Sequence, residues 1–344
     1  MDYKLEIINP LDYPNWDELL RKAKGASFFH TSSWAKVLYE TYNYTPIYFA
    51  LFDSTQLAGL LPVMEVKGIF RDVKGVSLPF SDYCPAILTN GLAINSIMEA
   101  ARDFGRKCNW KSLETRDVNY ADLPPAVVYY KHGLDLTAGC EALYANLKKN
   151  VQRNIRKAAR EGVIIDLSTS LESVRDYYRL HCITRKNQGV PPQPFVFFKK
   201  IYEHIINTQQ GSVITASYEN RNIAAAMFFH FNEQVLFKFG ASDHKYQHLR
   251  ANDFVMWEGI KYYAQKGYKK MCFGRTAVDN EGLRHFKAGL GANEEIIKYY
   301  KYDFRRNAFV SEKQVLTKMH NRLFRVMPVF MLRIFGSVLY KYMG

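Results

Sequence analysis

The chain lacks the features that mark secreted, disulfide-stabilised or membrane-spanning proteins. Its five cysteines are scattered through 344 residues, odd in number and without a C-x-x-C pair, so neither a disulfide framework nor a zinc site is predicted. No run of about 18 uncharged apolar residues is present to cross a bilayer. The opening "MDYKLEIINP" has no apolar signal core. These absences together predict a cytoplasmic protein.

Motifs for covalent or metal catalysis are also missing. The sequence has no G-x-S-x-G elbow, and no cysteine lies in a recognisable nucleophile signature. His244 and His248 have the spacing of one helix face, but no third ligand is evident nearby, so no metal is predicted. Any group-transfer chemistry would therefore proceed without a nucleophilic side chain.

Acidic residues are few relative to basic ones. The 33 Asp and Glu residues stand against 47 Lys and Arg residues, which gives a formal net charge of +14. This excess favours anionic partners such as RNA, phosphorylated precursors or an acidic membrane surface, without choosing among them. The length and the 48% hydrophobic content are sufficient for two folded domains.

The densest basic stretch is "KKNVQRNIRKAAREG", residues 148–162. At about 100° per residue its cations form a narrow stripe, opposite its apolar residues. The stripe consists of Lys149, Arg153, Arg156 and Arg160, and the apolar side of Leu147, Val151, Ile155 and Ala158. This ordering predicts an amphipathic helix docked on a core and ended by Gly162. The stripe is either a solvated face or a surface for an anionic partner.

Two segments of the chain repeat one pattern. Residues 50–59, "ALFDSTQLAG", and residues 216–225, "ASYENRNIAA", share A-x-aromatic-acid-x-x-x-aliphatic-A-small. Each predicts a strand, a polar turn and a second strand. Each is followed by an apolar stretch ending in Ser-Asp, "SLPFSD" or "FKFGASD", which we interpret as a third strand.

The same order of elements continues after each hairpin. A helix is predicted over 94–107 and over 252–266, and each leads into a strand that ends in arginine, "WKSLETR" and "YKKMCFGR". Four matching elements in one order indicate a duplicated α+β domain. We place the junction near residues 135–140, with the basic helix at the start of the second copy. Two unrelated hairpins are the alternative.

The order hairpin, strand, helix, strand resembles the GNAT acyltransferase fold, and a tandem pair resembles the Fem-type aminoacyl transferases and their FemAB-like relatives. The stretches that carry this resemblance are "FFHTSSWAK", "SLPFSDYCP", "LKKNVQRNIRKAAREGV", "FKFGASD", "LRANDFVMWEGI" and "NEGLRHFKAGLGA". The resemblance implies two tandem GNAT-like domains, residues 1–138 and 139–306, with mixed, mostly antiparallel sheets flanked by helices. Residues 307–344 would form a helical tail.

Members of the family move an amino acid from aminoacyl-tRNA to an amine of a peptidoglycan precursor. The resemblance implies that Lys287, in "NEGLRHFKAGLGA", stabilises the negative charge that develops on the carbonyl oxygen. The alternative is a helix whose Arg284 and Lys287 face water. Asp82 would orient or deprotonate the attacking amine, or else it is a turn aspartate. The cations expected to bind the phosphorylated acceptor are Lys36, Arg185 and Arg275.

The identity of the acyl donor is predicted from the absence of glycine in the stretch that precedes the second predicted helix. GNAT enzymes that use acyl-CoA usually hold its pyrophosphate in a Gly-rich turn at a helix N-terminus. The corresponding stretch here, "KYQHLRANDF", has no glycine and includes Arg250. This favours aminoacyl-tRNA, bound by Arg250 and by the stripe of Lys149, Arg153, Arg156 and Arg160, over acetyl-CoA. No cofactor is predicted.

Three functions therefore remain open at the level of the sequence. The first is an aminoacyl transfer to a peptidoglycan or other cell-envelope precursor, phosphorylated or lipid-linked. The second is an acyl-CoA-dependent N-acetyltransferase acting on an amino sugar of a surface polysaccharide. The third is a non-catalytic GNAT-fold protein that binds RNA or serves as a membrane scaffold. We expect a monomer, cytoplasmic or peripheral to the inner face of the membrane.

The C-terminal tail is divided by Pro328 into two predicted short helices, of which the second is strongly apolar. We expect it to pack on the N-terminal domain. The alternative is that it lies on a membrane surface as an interfacial anchor.

Overall fold

The architecture is described by a computed structural model over residues 3–69, 72–88, 93–118, 120, 123–311 and 318–343. The chain divides into two units. Unit 1 comprises residues 1–129, 296–315 and 339–344, and unit 2 comprises residues 130–295 and 316–338. None of the helices in the described residues is both long and apolar enough to cross a bilayer.

The first part of the chain alternates strands and helices. Its elements are β1 (Tyr3–Ile8), α1 (Trp16–Lys22), α2 (Ser32–Tyr42), β2 (Thr45–Asp53), β3 (Gln56–Lys67), β4 (Val73–Val76), β5 (Ile87–Leu88), α3 (Ala93–Lys107) and β6 (Trp110–Arg116). The middle of the chain repeats the arrangement. Its elements are β7 (Val127–Asp135), α4 (Cys140–Asn146), α5 (Lys149–Arg160), β8 (Ile164–Ser168), α6 (Leu171–Gln188), α7 (Phe195–Ile201), β9 (Gly211–Tyr218), β10 (Arg221–Phe231), β11 (Gln234–Ser242), α8 (Ala251–Gln265), β12 (Lys270–Ala277) and α9 (Glu281–Gly289).

The last part of the chain adds two strands and two helices. They are β13 (Asn293–Asp303), β14 (Ala308–Phe309), α10 (Lys318–Val326) and α11 (Val329–Leu339). The two helices are separated at Pro328, as predicted, because proline has no N–H for the helical ladder and its ring obstructs the preceding turn.

The sheet of unit 1 is mixed. β1, β2, β3 and β4 pair antiparallel in that order, and β4 pairs with β6 in parallel. Residues 299–303 of β13 then pair antiparallel with β6. Helix α3 covers the sheet with Ile97, Met98 and Ala101, whose spacing puts them on one helix face against the buried side of β2 and β3.

The sheet of unit 2 follows the same plan. β8, β9, β10 and β11 pair antiparallel in that order, and β11 pairs with β12 in parallel. β7 is the neighbour of β12 on its other side. Helices α5 and α8 contribute Val151, Ile155, Val255 and Ile260 to the core of this unit. The α+β class and the tandem arrangement predicted from the sequence are confirmed.

The two predicted hairpins form as duplicated elements. In β2–β3 the register closes at Asp53 with Gln56, and in β9–β10 it closes at Tyr218 with Arg221. Each second strand has a bulge at nearly the same aligned position, next to Leu57 in one copy and Asn222 in the other. The shared irregularity supports a duplication, because two unrelated hairpins would have no reason to share it.

One predicted strand is absent. "SLPFSD" follows β4 as a series of turns, whereas "FKFGASD" forms the end of β11. Leu78 and Phe80 have φ of 49° and 58°, values that a strand does not permit, and Pro79 between them cannot donate to a ladder. The apolar side chains that suggested a strand are used for packing: Leu78 is buried, and Phe80 contacts the ring of Tyr44.

The unit boundaries differ from the predicted 138/139 and 306/307. The chain enters unit 2 at Tyr130, within β7, and returns to unit 1 at Ile296, within β13. Most of β7, the last strand of the first copy, belongs to unit 2, and most of β13, the last strand of the second copy, belongs to unit 1. The predicted boundaries followed the order of the two copies along the chain and therefore missed this exchange.

The tail also departs from the expected packing. Residues 316–338 are counted with unit 2 and only residues 339–344 with unit 1. Gly336 lies against the backbone of Pro192 so closely that a Cβ there would be 1.9 Å from the Pro192 carbonyl oxygen. In unit 1, the Tyr44 hydroxyl donates to the Tyr340 carbonyl at 3.0 Å.

Candidate active site

Strands β11 and β12 diverge within unit 2. Their parallel pairing covers only residues 234–236 and 270–272, although both strands continue beyond it. β11 carries a bulge at Lys238, between Phe237 and Phe239, and a bulge bends the strand that contains it. Beyond residue 272, β12 is therefore no longer paired with β11, and its backbone accepts hydrogen bonds from a side chain of the same unit.

Lys287 of α9 binds β12 in this region. Its Nζ donates to the carbonyls of Gly274 and Arg275, both at 3.1 Å, and to the Thr276 Oγ1 at 2.8 Å. An ammonium has three N–H donors, so these bonds match its full donor capacity. Gly274 has a φ of 69°, a conformation that glycine adopts without strain and that bends the strand where two successive carbonyls bind one ammonium.

The predicted alternative for Lys287, a helix face in water, is wrong. The residue is 2% exposed, so its charge is removed from bulk solvent and surrounded by protein oxygens. A buried cation interacts more strongly with a nearby developing negative charge than a solvated one does. The same burial means that the ammonium does not line an open cleft in this structure.

Four residues that the sequence analysis did not select hold α9 in place. The Arg284 guanidinium donates to both carboxylate oxygens of Glu294 at 2.9 Å and lies 4.1 Å from the ring centroid of Tyr130. The buried His132 bonds through Nε2 to the same carboxylate at 3.1 Å. These contacts connect β7, α9 and the start of β13, and they fix the helix that carries Lys287.

The electrostatics of this cluster have distinct causes. Burial, followed by the nearby positive charge of Lys287, lowers the pKa of His132. The hydrogen bond from Arg284 lowers the pKa of Glu294. His132 is therefore neutral and Glu294 ionised near neutral pH, so the ion pair between Arg284 and Glu294 persists beside Lys287.

A second feature of unit 2 lies at the start of α8. A cavity of about 170 Å³ is lined by Asp243, Tyr246, Arg250, Asp253 and Phe286, among others. This is smaller than the roughly 300–1,000 Å³ of pockets that enclose whole small ligands. Arg250 precedes α8 with a φ of 61°, so an arginine occupies a left-handed position that glycine usually takes.

The predicted basic helix is confirmed as α5, which ends at Arg160 before Gly162. Its apolar side is buried, whereas its four stripe cations are exposed: Lys149, Arg153, Arg156 and Arg160. The Asn154 amide donates to the Asp253 carboxylate at 2.8 Å, which attaches α5 to the first turn of α8. Burial raises the pKa of Asp253.

Comparisons with known proteins agree with this topology. The model of the acetyltransferase (GNAT) domain family matches residues 145–294. The crystal structure of FemX has a TM-score of 0.69 at 11% identity, over 89% of this chain and 98% of that chain. The protein has a FemAB-like tandem GNAT fold.

Other proteins share this tandem GNAT fold at similarly low identity. A tandem GNAT protein from the clavulanic acid biosynthesis pathway has a TM-score of 0.54 at 9% identity, over 88% of this chain and 98% of its own. The C-terminal domain of a putative lysylphosphatidylglycerol synthetase from Agrobacterium fabrum has a TM-score of 0.53 at 12% identity, over 78% and 86%. None of the curated proteins matches the chain significantly in sequence.

Within this fold, the predicted acceptor residues fall in both units. Lys36 is exposed on α2 of unit 1. Asp82, also in unit 1, is half-buried after β4, and its carbonyl accepts a bond from the Tyr299 hydroxyl at 2.7 Å. Arg185, in the last turn of α6, donates to the Gln188 side chain at 3.2 Å. Arg275 lies beside Lys287, and its carbonyl accepts from that residue.

Proposed function

We propose that the protein is an N-acyltransferase that moves an aminoacyl group from aminoacyl-tRNA to an amine of a peptidoglycan or other cell-envelope precursor. One observation carries the choice of donor: the hydrogen bond between Asn154 and Asp253 fixes the exposed cations of α5 beside the start of α8. In acyl-CoA-dependent GNAT enzymes, that helix start is where the pyrophosphate binds.

The start of α8 is poorly suited to a pyrophosphate. Two carboxylates, Asp243 and Asp253, line the small cavity there, and both would repel a phosphate group. The absence of glycine keeps the backbone N–H groups from close approach.

A polyanion on the surface is better accommodated. The stripe on α5 is rigid, because the Gln152 amide donates to the carbonyls of Tyr144 and Leu147 while Val151 and Ile155 are buried. A fixed row of cations can hold a nucleic-acid backbone without reading its sequence. This is the behaviour required of an enzyme that takes its donor from the ester end of a tRNA.

The chemistry requires no covalent enzyme intermediate. The neutral acceptor amine attacks the ester carbonyl carbon, the new C–N bond forms, and the C–O bond to the tRNA ribose breaks. The proton lost by the amine ends on the departing ribose oxygen. Lys287 stabilises the oxyanion formed between these steps, and since it is buried, the substrate oxygen must replace one of its three protein acceptors.

One neighbour in structure supports a lipid acceptor: a putative lysylphosphatidylglycerol synthetase, by its name, makes a phospholipid that carries lysine. A lipid-linked or phosphorylated precursor fits the basic residues, of which Arg185 is the candidate contact in unit 2.

An acyl-CoA donor is the second candidate. It is favoured by the clavulanic acid pathway protein, for which AcCoA is the named ligand although that structure was solved without it. Incubation of the protein with a pool of charged tRNAs, and separately with labelled acetyl-CoA, distinguishes the two donors. Consumption of acetyl-CoA without deacylation of tRNA would contradict our proposal.

The stripe is tested by replacing Arg153 and Arg156 with glutamine. Each lost phosphate contact flattens the dependence of log K on log salt by nearly one unit, so the slope should fall by up to about two. The matched control replaces the exposed Arg305 and Arg306 of unit 1 with glutamine, which removes the same charge. Equal tRNA affinity in both double variants would show that the stripe on α5 is only a solvated helix face and does not bind tRNA.

A further inference from the structure

The C-terminal tail is unusual in its charge. After Glu312 the sequence has no acidic residue to its end. It has the basic residues Lys313, Lys318, Arg322, Arg325, Arg333 and Lys341. The remaining residues are mostly large and apolar, so the segment is both hydrophobic and uniformly cationic.

Helix α11 is attached to unit 2 by one face. Leu332 is fully buried, and Gly336 fits against Pro192 with no room for a side chain. The Arg333 guanidinium lies 5.3 Å from the ring centroid of Tyr178 on α6. These contacts fix the orientation of the helix, so the direction of its other face is determined.

The opposite face of α11 is apolar and exposed. At 3.6 residues per turn, Phe330, Ile334 and Val338 form one line, with Met331 and Phe335 beside it. Their exposed fractions are 65% for Phe330, 38% for Met331, 62% for Ile334, 42% for Phe335 and 58% for Val338. A contiguous line of large apolar side chains on a helix is normally covered, so a second surface is expected to cover this face.

Helix α10 extends the exposed surface. The rings of Phe324 and Phe335 are 6.1 Å apart, which places the two helices in contact. Leu323 and Val326 are 59% and 77% exposed. Arg322 and Arg325, which alternate with them, are also exposed. Apolar and cationic side chains are thus presented together.

We propose that the exposed faces of α10 and α11 bind the surface of a bilayer that contains anionic lipids. The apolar side chains would enter the boundary between headgroups and acyl chains, and the arginines would contact the lipid phosphates. A second copy of the chain is a poor partner for this face. In a symmetric dimer the two tails would face each other, and their positive charges would repel without any acidic residue to pair with them. An acidic protein surface could pair with the arginines, but it would leave the wide apolar face of α11 without apolar contacts.

Vesicle co-sedimentation with the full-length protein tests this proposal without any donor or acceptor, so its outcome is independent of the transfer reaction. Binding is expected to vesicles of phosphatidylcholine with about 30% phosphatidylglycerol, and much less to vesicles of phosphatidylcholine alone, because only the former attract the arginines electrostatically. Replacing Phe330 and Ile334 with serine should weaken binding at least about tenfold. Replacing Arg322 and Arg325 with glutamine should weaken the preference for anionic vesicles about tenfold.

The matched control replaces Ile164, which is 68% exposed on β8 of the same unit, with serine. Its vesicle binding should equal that of the unaltered protein. Absence of binding to either vesicle, or equal binding by the Phe330→Ser/Ile334→Ser variant and the control, would overturn the proposal. So would a dimer in lipid-free solution that the same double variant disrupts, since a second copy would then be the occupant.

Discussion

The two units share a strand order but place different cations where the fourth strand of each ends. In unit 1, the strand "WKSLETR" ends at Arg116, which is 7% exposed and donates to the carbonyls of Leu78 and Ser81 at 2.9 Å. In unit 2, the corresponding Arg275 is only half-buried, and the buried cation is Lys287 from the following helix.

The side chains of Arg116 and Lys287 bind different groups. Arg116 forms an ion pair with Glu114 at 2.8 Å and closes the loop after β4 onto β6. Three neutral oxygens accept hydrogen bonds from Lys287, and the left-handed Gly274, which corresponds to Thr115 of unit 1, bends the strand where they lie. One copy thus uses its cation to hold a loop, and the other binds its cation to a bent strand, the arrangement on which the proposed role of Lys287 depends.

The largest expected effect tests the catalytic side of this comparison. Replacing Lys287 with methionine keeps the bulk of the side chain and removes its charge. If the ammonium stabilises an oxyanion, turnover should fall by a factor on the order of 10² to 10³, with a much smaller change in substrate affinity. The measurement is single-turnover transfer, normalised to the folded fraction, because three buried oxygens also lose their donor.

A matched control separates charge from packing. Replacing Thr276 with valine removes one acceptor from Lys287 but leaves the ammonium in place. Turnover should stay within a factor of about ten of the unaltered enzyme. Near wild-type turnover of Lys287→Met, or equal losses in both variants, would show that Lys287 has only a structural role.

The next effect tests the structural side of the comparison. Replacing Arg116 with methionine removes its hydrogen bonds to the carbonyls of Leu78 and Ser81 and its ion pair with Glu114. Stability should fall by about 3 kcal/mol, measured by denaturant unfolding. Turnover per folded molecule should change little. A large loss of turnover with unchanged stability would mean that Arg116 acts in the reaction, and the two units would then be more alike than we infer.

A smaller effect should be common to both units. Burial lowers the pKa of His30 in unit 1 to about 4 and that of His181 in unit 2 to about 3. Both imidazoles are neutral in the folded protein and gain a proton on unfolding below about pH 6.5, so stability is present above that pH and is lost as the pH falls. Each histidine should account for about 2 kcal/mol of the loss between pH 7 and pH 5.

The measurement is the pH dependence of unfolding free energy in His30→Gln and His181→Gln variants. Each should flatten the curve between pH 5 and 6.5 by a similar amount, since both imidazoles are buried and neutral. A slope that is unchanged in either variant would contradict the neutral state assigned to that histidine.

The sequence predicted elements whose pattern is local. The two hairpins, the amphipathic α5 and the helices α3 and α8 each depend on side chains within about fifteen residues, so periodicity and turn chemistry identified them. "SLPFSD" misled because apolar side chains are as suitable for a packed loop as for a strand. Gly274 offered a usable signal, since glycine inside a strand often marks a bulge or a close approach.

The surroundings of Lys287 could not be predicted in the same way. His132 and Glu294 are 162 residues apart in the chain, and nothing in the sequence near either one indicates the other. The burial of Lys287 was equally hidden, because a lysine on a short polar helix is ordinarily solvated. Long-range pairings of this kind depend on the tertiary fold and not on local propensity.

Because most of β7 belongs to unit 2 and most of β13 to unit 1, the order in which the chain is synthesised affects when each unit can fold. The sheet of unit 1 needs residues 299–303 as the neighbour of β6, so the N-terminal copy stays incomplete until nearly the whole sequence has left the ribosome. A gene fragment cut at residue 138 would encode that copy with an unprotected edge at β6 and would release β7 from the sheet beside β12. We therefore expect the two copies to fold as one translation product, because each unit includes a strand that belongs to the other copy in sequence.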